Sequence, residues 1–191
     1  MIRSMMTATV LCGMAFAASA QVQTGEAVAP LLYAPNGAEV ELLPAPFLPP
    51  DQAEILRMVG ASQPYYGAIA VSPDEGIMVE ATVAAANHHG TATASEAALA
   101  ACEAKRKGAA PCAVVALIRP IGWREGGFQL SSGATADFAD YLKVRRDRAF
   151  AISASTGAWG IGKGRDAAAK AVADCAGKPV QPGDCVVAVQ D

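Results

Sequence analysis

Two short runs of apolar residues, Ala68-Ile69-Ala70-Val71 and Ala149-Phe150-Ala151-Ile152, stand out in the hydrophobic pattern of this chain. Each predicts a strand and is followed by a polar turn that ends in glycine, at Gly76 and Gly157. Glycine there takes the positive φ that other residues resist. A second short strand follows each turn, over residues 77–83 and 158–162. A helix precedes each pair. Asp51 with Glu54 reads as a capping box before the apolar face Ile55, Leu56 and Val59, and Ser132 opens the face Phe138, Tyr141 and Leu142. After each pair comes an alanine-rich helix. Thr93 with Glu96, and Asp166, read as its caps. Ala97, Ala98, Ala101 and Cys102 share one face of the first copy, and Ala168, Ala171, Val172 and Cys175 one face of the second. Small residues at these spacings let a helix lie close to a sheet. A valine-rich strand closes each set, over residues 113–118 and 186–189.

The two sets repeat at fixed distances. Strands, glycine turns and first helices recur at an offset of 81, and the cysteine pair Cys102/Cys112 recurs as Cys175/Cys185 at an offset of 73. The eight residues of difference fall between Gly76 and Thr93, so the first copy has the longer hairpin region. The expected fold is α+β, a tandem duplication of an α-β-β-α-β unit with one local disulfide in each copy. Residues 51–120 form the first unit, 121–131 a connector and 132–191 the second unit. The pattern leaves open whether the units stand as two lobes or merge their strands into one sheet.

Residues 1–20 read as a signal peptide: Arg3, an apolar stretch over residues 7–17, and an Ala18-Ser19-Ala20 cleavage site. The apolar run is shorter than the roughly 20 residues a membrane span needs, so no stable membrane insertion is expected. The bulky Leu11 before Cys12 argues against a lipoprotein site. Residues 21–50 carry six prolines and read as a linker or extended arm, in which Glu39-Val40-Glu41-Leu42 alternates well enough to add one edge strand. The full chain has 15 basic and 18 acidic residues, and loss of Arg3 leaves a net charge near −4. That balance gives no footing for nucleic acid. The one basic cluster, Lys143, Arg145, Arg146 and Arg148, falls where a helix should end and suits the helix dipole there.

Export implies an oxidising compartment, periplasmic or secreted, where disulfides persist. Four cysteines outside the leader permit three pairings. Only Cys102–Cys112 with Cys175–Cys185 repeats within each unit, and a C-x2-C zinc pattern is absent.

Candidate chemistry is sparse. Residues 157–163 meet the first seven positions of a phosphate-binding loop, but Gly164 replaces the hydroxyl that holds magnesium, so the glycines read as an edge-strand pattern. His88 and His89 sit side by side in the inserted stretch 84–90. They are weak metal candidates, because neighbours on an extended chain point apart, and the plain alternative is a solvated loop. Among the aromatics, Tyr66, Trp159 and above all Trp123 with Arg124, in the glycine-rich connector, are candidates for binding. No cofactor is expected.

The unit A-I-A-V-S…G…S-E-A-A-L-A-A-C…C-A-V-V resembles an uncharacterised domain family of exported bacterial proteins. The second copy, A-F-A-I-S-A-S-T-G-A-W-G, matches it more closely, with Trp159 and Gly160 on its second strand. Some small exported proteins of this look carry the label aminolevulinate synthase. That label implies a pyridoxal-phosphate enzyme with a Schiff-base lysine, and no lysine here stands in a recognisable motif. The resemblance supplies no catalytic residues. Two function classes result: a non-catalytic binding or inhibitor-like module of unknown partner, for which a protein of the cell envelope is one candidate, or an enzyme whose site one sequence does not disclose, that label included.

Overall fold

A computed structural model describes residues 22–191; the expected signal peptide, residues 1–20, lies outside the described residues. The proline-rich arm holds a short helix α1 (Gly25–Val28), a 3-10 turn (Ala29–Leu31) and strand β1 (Ala38–Leu42). Helix α2 (Pro50–Ala61), strands β2 (Gly67–Val71) and β3 (Val83–Ala85), helix α3 (Thr91–Glu103) and strand β4 (Ala113–Pro120) follow. The same order returns as α4 (Ser132–Leu142), β5 (Arg148–Ile152), β6 (Trp159–Lys163), α5 (Ala167–Ala176) and β7 (Val186–Gln190).

The strands form two sheets, ordered β1-β4-β2-β3 and β6-β5-β7, with every strand pair antiparallel. In each, the first strand of the α-β-β-α-β set lies between the other two. Both central strands carry an irregularity in the pairing with the last strand, between Ile69 and Ala70 and between Phe150 and Ala151. These are positions 81 apart.

Alternation along β2 and β5 sorts the core, since successive side chains point to opposite faces. Ile69 and Val71 meet Leu56 of α2 with Val115 and Ile118, while Ala68 and Ala70 meet Ala94, Ala98 and Cys102 of α3. Phe150 likewise packs with Phe138 and Tyr141 of α4, and Ala149 and Ala151 with Ala167, Ala171 and Cys175 of α5. Each sheet thus has a bulky face and an alanine face. The disulfides Cys102–Cys112 and Cys175–Cys185 pin the end of each alanine helix to the strand that follows. Each closes a ten-residue separation, worth roughly 2.5–3 kcal/mol in the chain-entropy picture.

A second staple ties each hairpin turn to its cystine loop. In the first unit the hairpin supplies the carboxylates: Asp74 accepts from the Ala110 N–H at 2.7 Å, and Glu75 from Lys107 and Gly108 at 3.0 and 3.1 Å. In the second the direction reverses, and Asp184 of the cystine loop accepts from Ser153 Oγ and from the Ser155 N–H at 2.9 Å.

Several local expectations need correction. The strand expected at residues 77–83 forms at Val83–Ala85, because residues 77–81 run in bends and turns that bury Ile77 and Ala81 outside the ladder. Helix α2 begins after Pro49 without a side-chain cap, and Glu54 pairs with Arg57 instead of closing a box. It presents Leu56 and Gly60 to the sheet, leaving Ile55 and Val59 about two-fifths exposed. Gly60 faces inward because Val40 of β1 lies directly beneath it. Ser131, not Ser132, caps α4, and Leu142 faces solvent. Thr93 lies inside α3 with its hydroxyl bonded back to the Gly90 carbonyl, while Asp166 holds the expected N-cap position of α5 but makes no side-chain cap bond. The buried faces of the alanine helices are Ala94, Ala98 and Cys102 and, 73 positions on, Ala167, Ala171 and Cys175.

The arm docks on both sheets. β1 pairs along β4 from Ala38↔Pro120 to Leu42↔Ala116. Gln23 bonds to Ala188 and Gln190 beside β7, and Val28 is buried with Phe138 and Phe150. Of the basic cluster, Arg148 caps the helix: it donates to the carbonyls of Tyr141, Leu142 and Val144 at and just past the end of α4 while pairing with Asp191 at 2.9 Å.

The closest packing lies at β6. A Cβ on Gly160 would run into the Ala171 carbonyl and Cys175 N, and one on Gly162 into the Ala167 carbonyl and Ala171 N. The phosphate-loop-like glycines are therefore contact points for α5 on an edge strand. We expect Gly162→Ala to cost about 3 kcal/mol or more, and Gly183→Ala, with nothing within 4 Å of its Cβ, to stay within about 0.5 kcal/mol. Urea unfolding of the two variants checks this.

Candidate functional site

The two units meet where the insertion of the first is set into the second. Tyr66 and His88 exchange backbone hydrogen bonds, which continues the β2–β3 side of the sheet past the Ala68↔Ala85 pair into the inserted stretch. Asn87 then turns with φ of 64°, and its side-chain oxygen accepts from the Gly133 N–H at 3.0 Å and from Ser132 Oγ at 3.2 Å, at the start of α4. Gly157 gives it passage, because a Cβ there would strike the Asn87 carbonyl. The Ser132 N–H in turn donates to the Tyr65 carbonyl at 2.9 Å.

His89 bridges the seam. Its Nδ1 accepts from the Ser131 N–H at 3.0 Å, which leaves Nε2 to donate to the Ala158 carbonyl, also at 3.0 Å. Both ring nitrogens are thereby committed, and the neutral tautomer is set by its partners. Burial pushes the imidazole down to about 4, a shift that His88 reinforces and the Ala158 carbonyl opposes. The His88 ring is lowered by burial as well. This corrects the solvated-loop reading: both histidines are only 8% exposed. The pair does not chelate a metal in this geometry, since His89 has no nitrogen to spare. Among the described residues no group of three or more His, Cys, Asp or Glu could hold a metal ion.

A cleft opens on each side of this loop. One, of about 510 Å³, is lined by Gln23 and Leu31 of the arm, His89, Gly90, Ala92 and Thr93 at the start of α3, Gly127, Phe128 and Gln129 of the connector, and Ile152 and Ala154. It has no Asp, Glu, Lys or Arg in its wall. The other, of about 300 Å³, lies between Asn87, residues 156–159 and residues 178–180, with Trp159 as one side and Lys178 at the rim. No family model, curated protein or solved structure matches the chain. The site is therefore described by its own residues.

The binding candidates fall in two places. Tyr66 and Trp123 come together at one end of the first sheet, with Arg119 stacked on the Trp123 ring 4.1 Å from its centroid. Tyr66 is buried, so it acts from beneath that surface. Arg124 is exposed, and its backbone N–H donates to the Tyr33 hydroxyl at 2.9 Å. Trp159 stands apart in the smaller cleft, packed on Gly133 with its indole N–H donating to Asp137 at 2.9 Å. The four cysteines stand in their disulfides and line neither cleft, although Cys175 Sγ lies 3.9 Å from the Ala158 carbonyl.

Asn87, Ser131, Gln129 and Gln23 escaped the sequence reading. For Asn87 a signal existed, because the insertion is where the repeats differ and Asn tolerates positive φ. Gln23, in the proline-rich arm, carried none.

His89 gives the seam a measurable pH dependence. Its folded value of about 4 lies below the ordinary 6.5, so the unfolded chain takes up the proton first as pH falls. The stabilisation is complete above pH 6.5 and is lost as pH drops toward 4, by about 3 kcal/mol in all. Carboxylates, which titrate below about 4.5, contribute only at the foot of that window. We expect urea midpoints to fall between pH 7 and pH 5, and His89→Gln to remove most of that slope.

Proposed function

We propose that this chain is an exported, non-catalytic binding module, formed by tandem duplication of one α-β-β-α-β unit. In this reading it belongs with the uncharacterised exported bacterial domains its unit resembles, and works in the periplasm or after secretion. The paired local disulfides support an oxidising compartment. Among the described residues no helix is long and apolar enough to cross a membrane.

The observation that carries the binding reading is the uncharged cleft at the seam. Its volume of about 510 Å³ falls within the usual range for small-molecule sites, about 300–1,000 Å³. Leu31, Phe128, Ile152 and Ala154 provide apolar wall, and Gln23 and Gln129 provide side-chain amides. The start of α3 adds first-turn N–H groups without a side-chain cap, which an oxygen acceptor would satisfy. The matching ligand is a small uncharged molecule, or an uncharged segment of an envelope protein, with an apolar body and a carbonyl or hydroxyl group. Binding is favoured over turnover by the state of His89. It is the one titratable side chain in the wall, and both its nitrogens are bonded to backbone.

Native mass spectrometry of the protein purified from an envelope fraction tests this reading. We expect a non-covalent adduct or captured partner that Ala92→Trp, which fills the cleft from an exposed position, weakens at least tenfold, about 1.4 kcal/mol. Val180→Trp in the smaller cleft should leave it bound. Absence of any adduct, or one that survives Ala92→Trp, counts against the seam as the binding site.

A further inference from the structure

Three of the six buried side-chain polar atoms that lack a protein partner among the described residues meet in one place: Tyr66 Oη, Arg119 Nε and Trp123 Nε1. They are neighbours by construction. The β2–β4 register ends at Gly67↔Ile118, so the next residues out, Tyr66 and Arg119, lie side by side at that end of the sheet. Pro120 closes β4, and a turn from its carbonyl to the Trp123 N–H brings the indole back over Arg119. The Tyr66 hydroxyl faces the Trp123 indole N–H, near enough to feel it but without the geometry of a full hydrogen bond, and lies within electrostatic reach of the Arg119 guanidinium.

What these atoms can bond is narrow. An indole N–H and a guanidinium Nε–H only donate, and a phenol donates readily. Leaving such groups unpaired is costly, most of all for a charged one. Glu41 of β1 engages Arg119 through Nη1, which leaves the Nε edge of the guanidinium without an acceptor. That edge matches the two oxygens of a carboxylate. The indole face fixes the plane of the guanidinium, so the fork is oriented before a ligand arrives.

The cover over these atoms is held by few contacts. Gly122, Gly126 and Gly127 have φ of 74°, 93° and 84°, and nothing lies within 4 Å of a Cβ at any of them. Between these loosely packed hinges, the Arg124 N–H to Tyr33 hydroxyl bond is the tie that holds the loop down.

We propose that Tyr66, Arg119 and Trp123 form a binding site for a small carboxylate, over which the glycine-hinged connector opens and recloses. It is separate from the seam cleft and does not depend on the reading given to that cleft. The indole N–H resonances test it directly in the full exported chain. Trp159 serves as internal reference, because its N–H is bonded to Asp137. On titration at constant pH and ionic strength, acetate should shift the Trp123 indole signal saturably while that of Trp159 stays in place. Isosteric but neutral acetamide should produce no such shift. Tyr66→Phe removes one hydroxyl and should weaken acetate several-fold, and Arg119→Gln at least tenfold. No saturable shift with acetate at tens of millimolar overturns the proposal. So does an equal response to acetamide or chloride, or full retention of binding in Tyr66→Phe, without reliance on the arginine variant.

Discussion

Both sheets are held against an alanine helix at near-backbone distance, and the rest of the architecture follows from that approach. Ala68, Ala70, Ala149 and Ala151 offer only a methyl group, and on β6 the glycines remove even that. Such contact gains dispersion from close atoms, yet it buries little apolar area per residue, at about 25 cal/mol per Å². The alanine faces therefore add less than the opposite faces, where Phe138, Tyr141 and Phe150 cluster with ring centroids 4.9–5.8 Å apart. Each cystine stands at the end of the thinner layer. There it holds the alanine helix at the level of the last strand, and the carboxylate staples of the hairpin turns secure the same loops a second time.

Joining the two units required a different device, because each already buries both faces of its own sheet. The insertion supplies it by exchanging backbone bonds and not side-chain volume. Asn87 satisfies donors at the start of α4, where helix N–H groups lack partners. His89 satisfies one donor and one acceptor with a single ring. A neutral imidazole does this only in one tautomer, so the seam is selective for the uncharged state. The longer hairpin region of the first α-β-β-α-β set, the largest departure between the two sets, thus answers an interface requirement.

Much of the fold was legible because its determinants are local and occur twice. The α-β-β-α-β order, the glycine turns at Gly76 and Gly157, both with positive φ, and the local cystines all follow from short-range pattern and spacing. Cap positions slipped by one to three residues where side chains chose other partners, as Thr93 did in bonding back to Gly90. Strand β3 slipped further, because Ile77 and Ala81 found burial without joining a ladder. The candidate site was mostly illegible for a physical reason. The partners of His89 lie 42 and 69 positions away, at Ser131 and Ala158, and no local pattern encodes them. Trp123 was visible through its glycine-rich surroundings, but its stacking on Arg119 depends on the β2–β4 register.

Seam and sheet end share one structural element. The connector leaves β4 at Pro120, lays Trp123 on Arg119, and then lines the larger cleft with Gly127, Phe128 and Gln129 before Ser131 caps α4. Its first half is loosely held, by the Pro120 turn and the Tyr33 hydroxyl. Its last residues are fixed, with Leu130 and Ser131 buried and the Ser131 N–H bonded to His89. A segment tied at one end and glycine-hinged at the other can move without disturbing either core, since no residue between Ile121 and Gly127 is buried. The fixed end of the connector therefore helps set the wall of the larger cleft, while its loosely held first half lies where the unpaired donors are. That division is the one expected of a binding protein, in which a rigid scaffold carries recognition on its loops.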